Sequence, residues 1–304
     1  MQVEFKENCD IKNFTTFKIG GVVNRIYFPK TQQELVFLLK DLKNYILLGN
    51  CSNVLISSNG YKGNIILTTQ MRHYEINGTR VISDCGVKGP LLAQKACENS
   101  LSGFEFMIGF PGTIGGEIFM NASCHGQCIS DNLVRCCLFD KDKKEVIYKE
   151  KSEMEFSYRK SILQKGRYIL LGAEFELKKS PKEDIESLLS RNLSFRKEVQ
   201  PNLAFPNAGS VFKNPENDSA GRLLDKAGVK SFEMDNVKVW DKHANFIVNK
   251  GNATSLEVLE LMVNMFTAVK ENYRIELHPE IMYIGDMTKK EEELCKILYK
   301  KIQK

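Results

Sequence analysis

The residues of this chain best placed to do chemistry fall in a few short stretches. The densest is Gly103-Phe104-Glu105-Phe106-Met107-Ile108-Gly109-Phe110-Pro111-Gly112-Thr113-Ile114-Gly115-Gly116-Glu117-Ile118-Phe119-Met120-Asn121-Ala122. Glycine accepts positive φ and lets a ligand or another backbone come close, at an entropic cost that an ordinary surface loop has no reason to meet. Successive backbone N–H groups in such a turn form a concave anion site, and a helix starting after it adds its positive end. The same glycines would serve a tight strand–helix junction with no ligand equally well. A second turn, Gly49-Asn50-Cys51-Ser52-Asn53, lies between two strand-like runs rather than before a helix. It is therefore not the dinucleotide fingerprint, and the absence of a G-x-x-x-x-G-K-[ST] run excludes a P-loop.

Several side chains carry chemistry of their own. Arg159, in Ser157-Tyr158-Arg159-Lys160-Ser161, has a planar fork that can hold a carboxylate bidentately; alone, it would read as a surface arginine after a tyrosine. Ser210 follows Gly209 without a G-x-S-x-G elbow, so it is no acyl-transfer nucleophile, and a turn or helix-cap pair is its structural alternative. Glu280, in His278-Pro279-Glu280, is either a salt-bridged strand residue or a carboxyl that burial would keep protonated. Lys213, closed off by Pro215, reads as a phosphate contact rather than part of a helix face. His243 reads as a hydrogen-bonded structural histidine, and His73 and His125 as exposed loop residues. Cys124-His125-x-x-Cys128 hints at a metal pair, but a structural zinc site needs about four ligands and the chain offers no second pair, so no metal is expected. The 9 cysteines, irregularly spaced, read as reduced and mostly buried thiols.

Elements must position these residues, and 304 residues suggest two or three domains. Hydrophobic content of 42% with 27% charged residues is ordinary for a globular enzyme and argues against disorder. The net charge of +5 is spread along the chain, which speaks weakly for a polyanion and equally for a phosphate-rich small ligand. The basic run Lys289, Lys290, Lys296, Lys300, Lys301 and Lys304 alternates with Glu291, Glu292 and Glu293 and reads as a solvated helix face. No apolar run approaches the ~18–20 residues of a membrane span. Met1 to Asp10 is charged and lacks an apolar signal region, so a cytoplasmic location is expected.

Strands are expected at Val23 to Phe28, Tyr45 to Leu48, Val54 to Ser57, Asn64 to Thr69, Val134 to Asp140, Glu145 to Tyr148 and Tyr168 to Leu177. Thr31-Gln32-Gln33-Glu34 has the form of a capping box opening a helix over Leu35 to Leu42, and Asn77-Gly78 signals a hairpin. Pro90 to Ser102 reads as a helix ended by Gly103, and Glu183 to Lys197 as a helix entering another domain. Beyond it come helices at Ser219 to Ala227 and Ser255 to Asn272. Strands are expected there at Val237 to Trp240, Asn245 to Val248 and around Leu277 to Tyr283.

Taken in order, eight segments resemble the UDP-N-acetylenolpyruvoylglucosamine reductase family. They are Asn13-Phe-Thr-Thr-Phe-Lys-Ile-Gly-Gly21, the Gly49–Asn53 turn, the Gly103–Ala122 stretch, Ser157–Ser161, Gly209–Pro215, Ala220-Gly221-Arg222-Leu223-Leu224, Lys242–Asn249 and His278–Glu280. The chain departs from the family at Asn50 and Cys51, at Asp235 and Asn236, and at Arg274, where glycines are usual, which puts loop shape in question. The spacing from Arg159 to Ser210 leaves little room for the extra tyrosine loop of one branch, so the chain resembles the shorter branch.

The resemblance implies an α+β fold: a two-part FAD-binding domain of the vanillyl-alcohol oxidase type followed by a smaller α/β substrate-binding domain. The bounds expected are 1–180 for the first (subdomains about 1–69 and 70–180), 181–286 for the second and 287–304 for a charged helical tail. It implies FAD as cofactor, held by Gly49, Asn50, Cys51, Ser52, Asn53, Gly112, Thr113, Gly115, Gly116, Asn121 and Ala122. NADPH would be the co-substrate, and UDP-N-acetylglucosamine enolpyruvate the substrate, met by Tyr158, Lys213 and Asn214. Arg159, Ser210 and Glu280 would be catalytic: hydride passes to C3 of the enolpyruvyl group, Arg159 faces the charge left on C2 and its carboxylate, Ser210 protonates C2, and Glu280 stabilises the enol form. A monomer without nucleic-acid or membrane partners is expected. The rival readings are a flavin- or nucleotide-sugar-binding protein without turnover and another FAD oxidase of the same superfamily.

Overall fold

The computed structural model describes residues 2–202 and 204–299. The chain clusters into two compact units interleaved along the sequence. The first comprises Met1–Lys6, Ile26–Asn50 and Asn64–Arg196; the second comprises Glu7–Arg25, Cys51–Gly63 and Lys197–Lys304. Two early segments, 7–25 and 51–63, thus group with the last third of the chain, an arrangement that no linear reading of domain boundaries contains.

The first unit is built on a five-stranded antiparallel sheet. Its strand order is Glu145–Glu150, Leu133–Asp140, Tyr168–Glu176, Arg80–Asp84, Tyr74–Asn77. Asn77 pairs with Arg80, which leaves Gly78 (φ +63°) and Thr79 as the two-residue loop that Asn-Gly signalled. Helix α1 (Gln32–Asp41) starts where Thr31 accepts from Glu34 N, while the Glu34 carboxylate accepts from Lys30 N one residue earlier than the capping-box form predicts. Helix α2 (Gly89–Glu98) stops four residues short of the expected end at Ser102. Asn99 caps it, Ser100 turns left-handed at φ +56°, and Leu101–Ser102 becomes a short strand against Lys178–Lys179. Helix α3 (Ile114–Phe119) follows the glycine turn, and α4 (Lys182–Val199) closes the unit. Most of α4, as far as Arg196, groups with the first unit rather than opening the second. The core joins Leu92, Phe104, Phe106, Ile114 and Ile118 to Phe139 and Phe175 of the sheet.

The second unit packs helices α5 (Ala220–Lys226), α6 (Ser255–Tyr273) and α7 (Lys289–Tyr299) around short strands. Helix α6 is opened by a full capping box, Thr254 with Glu257, and ended by Arg274 at φ +57°. That is the left-handed C-cap position at which glycine costs least, so the family's usual glycine has a backbone reason. Val237–Val239 pairs with Ile247–Asn249, and Met282–Ile284 runs parallel to Val54–Ile56. The strand expected around Leu277 begins only at Met282, because residues 278–280 instead bond to the Val211–Lys213 backbone.

Helix α7 corrects the reading of the C-terminal run as a wholly solvated face. Cys295 and Leu298 enter the second core. Glu291 is buried at 1% exposure, where it accepts from Ser255 Oγ at 2.6 Å, Thr288 N at 2.8 Å and Asn59 Nδ2 at 3.1 Å. Lys289 and Lys290 stay exposed, whereas Lys300, Lys301 and Lys304 lie outside the described residues.

Candidate active site

In the first unit the two turns singled out for their glycines meet. Asn50 Nδ2 donates to Pro111 O at 2.6 Å, and a Cβ on Gly49 would lie 2.2 Å from Thr113 Oγ1. Gly49 is therefore required by close approach rather than by an unusual φ. The turn is pinned from behind by Ile114 N to Val87 O at 2.9 Å and Gly115 N to Cys85 O at 2.8 Å. Gly115 itself would strike the Cys85 carbonyl at 3.0 Å if it carried a Cβ. On the other side Gly116 faces open space, its nearest neighbour being Thr113 Oγ1 at 4.0 Å. Thr113, at the N-cap of α3, makes no side-chain capping bond, and its buried hydroxyl has no hydrogen-bond partner. Asn121 Oδ1 is likewise buried and unpartnered. Buried polar atoms are normally satisfied, so these mark where a polar ligand or water completes the structure. A turn open at Gly116, with unpartnered polar atoms at Thr113 and Asn121, fits the phosphate and sugar oxygens of a dinucleotide cofactor.

The segment that leaves α3 holds the Arg159 loop. Ser157 and Lys160 exchange backbone hydrogen bonds at 3.2 and 3.1 Å, which leaves Tyr158 and Arg159 at the corner, Arg159 at φ +55°. Asn121 Nδ2 donates to Ser157 O at 3.1 Å, and Ser161 Oγ and Gln164 Nε2 both donate to Phe119 O. Arg159 Nη1 donates to Ser123 Oγ at 2.8 Å, and its guanidinium stacks 5.0 Å from the centre of the exposed Tyr158 ring. The glycine stretch thus places the arginine through its own last residues, with the fork half-buried rather than loose on the surface.

In the second unit Ser210 and Glu280 are neighbours. The segment 210–213 is held on one side by a bridge from Ser210 to Phe246 and by Val211 N to Asn245 O at 2.9 Å. On the other side Glu280 N donates to Val211 O, and Lys213 N to His278 O, both at 2.8 Å. The fully buried Asn245 amide accepts from Phe212 N at 2.9 Å and donates to Phe212 O at 2.8 Å. Asn53 Nδ2 donates to Glu280 O at 3.1 Å, and Met282 N to Asn53 O at 3.0 Å. A Cβ on Gly209 (φ +78°) would lie 3.8 Å from Ser52 O. Cys51 is buried at φ +50°, with its carbonyl accepting from Thr16 Oγ1 at 3.3 Å, and burial pushes its thiol up to about 12. It takes a left-handed backbone in a side-chain-bearing residue, which explains why glycine is the easier choice there.

The remaining candidates are placed as follows. Lys213 is half-buried. Asn214 is exposed, and its Oδ1 accepts from Ala220 N at 3.0 Å, so half of its amide is spent on the start of α5. Ala122 N donates to Glu117 O at 2.8 Å. His243 accepts from Asn245 N at 3.2 Å, and burial holds its imidazole below the usual range. Two residues carry more of the site than the sequence reading gave them: Asn245, quoted only as part of a motif, and Glu117, a carboxyl buried in the glycine stretch. The signal for Glu117 was visible as an isolated acid in the apolar run Ile114 to Met120.

A family model described as an FAD binding domain matches residues 23–145, the part of the chain that contains both glycine turns. The fold and the turn thus define a flavin-dependent oxidoreductase. A second model, the C-terminal domain of UDP-N-acetylenolpyruvoylglucosamine reductase, matches residues 200–284. A curated relative of that name from Caldicellulosiruptor bescii is 41% identical over 290 residues, covering 93% of this chain and 92% of its own. Another from Bacillus pumilus is 38% identical over 287 residues, covering 92% and 94%. The crystal structure of UDP-N-acetylenolpyruvylglucosamine reductase from Thermus caldophilus superposes with a TM-score of 0.80 at 32% identity, covering 93% of this chain and 99% of that one. The chain belongs to the UDP-N-acetylenolpyruvoylglucosamine reductase family.

Proposed function

We infer that this protein reduces UDP-N-acetylglucosamine enolpyruvate to UDP-N-acetylmuramate at the expense of NADPH, a step in making peptidoglycan precursors. FAD, when bound, would supply the hydride chemistry between NADPH and the enolpyruvyl double bond; the chain's residues supply position, charge and a proton. The observation that supports the reading is the junction of Asn50 with Pro111 and of Gly49 with Thr113, which brings together two glycine segments distant in sequence.

Addition of hydride to C3 leaves negative charge over C2 and its carboxylate, and groups already fixed in place stabilise it best. Arg159 meets this need: Ser123 and the Tyr158 ring hold its fork, so little side-chain freedom remains to be lost. Ser210 gives the proton to C2, its hydroxyl held by a segment bonded on both edges. Glu280, one hydrogen bond away at Val211, hydrogen-bonds the enol form. Lys213 takes a phosphate of the UDP group, Tyr158 lines the sugar pocket, and Asn214, whose Oδ1 accepts from Ala220 N at the start of α5, meets the same substrate. Among the described residues no helix is long and apolar enough to cross a membrane. We place the enzyme in the cytoplasm as a monomer, without nucleic-acid or membrane partners.

The test is direct. The purified protein is expected to be yellow with FAD and to oxidise NADPH only when UDP-N-acetylglucosamine enolpyruvate is added. A colourless protein that never takes up FAD overturns the reading. Flavin that turns over with oxygen but ignores the enolpyruvyl substrate would favour an oxidase instead.

A further inference from the structure

Glu117 sits in α3 directly after Gly116, at 4% exposure, and neither of its carboxylate oxygens has a hydrogen-bond partner. Two glycine backbones close over it: a Cβ on Gly89 would lie 2.2 Å from Oε1, and one on Gly112 would lie 3.3 Å from the same atom. The other acid of the stretch, Glu105, differs in accepting from Gly103 N at 2.8 Å. An ionised carboxylate at Glu117 would lose its hydration with no hydrogen bond in return, so the neutral acid is the favoured form.

The charged and titratable groups around it do not reverse this. Arg196 of α4 attracts the carboxylate, yet its guanidinium is engaged with the Phe110 ring at 4.8 Å and with Cys124. Cys85, behind Gly115, has its thiol pushed up to about 12 by burial and brings no charge. Lys88, next to Gly89, is solvent-exposed. His125 is held below its usual range by burial and by Arg196 and Arg191, so it is neutral too. Burial pushes the Glu117 carboxyl up to about 8, with Arg196 opposing.

The cofactor's pyrophosphate carries its own negative charge, and two like charges inside one poorly hydrated turn repel strongly. We propose that Glu117 must carry a proton for FAD to occupy the Gly112–Gly116 turn, so that cofactor binding is linked to protonation of this one carboxyl. The inference rests on the reading of that turn as the FAD phosphate site. If only the protonated form binds, the dissociation constant is level below the carboxyl's own midpoint and rises toward about tenfold per pH unit above it.

The experiment is a dilution series of the FAD-loaded full chain between pH 6.5 and 9.5, about the range over which the carboxyl would ionise. Free flavin fluorescence reads the dissociation constant. Wild type is expected to hold FAD evenly up to about pH 8 and then to weaken toward that slope. Glu117→Gln, which keeps the shape, and Glu117→Ala, which removes the acid, are expected to show a flat profile. A flat wild-type profile, or an unchanged slope in Glu117→Gln, overturns the proposal. Gly116→Val separates this outcome from failure of the site reading, since its side chain would fill the open space. If Gly116→Val releases FAD while Glu117→Gln keeps the slope, the proposal alone falls. If Gly116→Val binds FAD as tightly as wild type, the turn is not the phosphate site and both fall.

Discussion

The glycine stretch of the first unit and the Gly209–Pro215 segment of the second solve opposite problems. The first leaves buried polar atoms unpartnered at Thr113, Glu117 and Asn121 and leaves Gly116 open. The second is bonded along both edges, by Asn245 on one side and by residues 278–280 on the other, so the N–H and C=O of Val211 and Phe212 and the N–H of Lys213 are used within the protein. A surface that must receive a ligand keeps some of its polar capacity in reserve. On the proposed reading, a segment that aims the Ser210 hydroxyl spends that capacity on its own rigidity.

The comparison is most sharply tested by Ser210→Ala. If the second segment acts and the first only holds, flavin reduction by NADPH should proceed at the wild-type rate while reduction of the enolpyruvyl substrate falls about 10²–10⁴-fold, the usual worth of a placed proton donor. Stopped-flow measurement of the two half-reactions reads this, and normal turnover would remove Ser210 from its role. Next comes Asn245→Ala, which strands the Phe212 N–H and C=O in the core. At about 1–3 kcal/mol for each buried group left unsatisfied, thermal unfolding should show a loss of several kcal/mol. A loss below about 1 kcal/mol would mean that the segment is not braced as described.

Gly49→Ala tests the first region. Its new methyl would arrive 2.2 Å from Thr113 Oγ1, a strain of about 1–3 kcal/mol that should appear as roughly a tenfold or greater loss of FAD affinity. Unchanged flavin binding would dissociate this turn from the cofactor. The smallest effect is expected at the end of α6, at Arg274→Gly. Relief of a left-handed backbone, offset by the freedom glycine has when unfolded, should stabilise the protein by about 0.5–1 kcal/mol without altering turnover.

Much of this molecule was legible in its residue pattern. The pattern gave strands at 134–140, 145–148 and 168–177, within two residues of those observed, a hairpin at Asn77-Gly78, and a helix from Ser255 that is α6. These are local effects: side-chain period and cap chemistry act within a few residues, so sequence alone carries them. The glycine spacing likewise showed two anion-compatible turns, because glycine's freedom is a property of the residue itself.

What the sequence could not decide was which distant pieces meet. That Asn50 bonds to Pro111, that Asn53 ties to Glu280, and that segments 7–25 and 51–63 group with the chain's last third all follow from long-range packing. The helix expected to reach Ser102 ended at Glu98 because Leu101–Ser102 found a strand partner at Lys178–Lys179, seventy-odd residues away. Glu291 looked solvated in its run of charges until Ser255 and Asn59 came to it from other elements. Burial belongs to the folded surroundings and not to the residue, which is why the electrostatic character of Glu117 came only with tertiary structure: a carboxyl like any other in the sequence, and one that burial pushes well above the usual carboxylate range once Gly89 and Gly112 close over it.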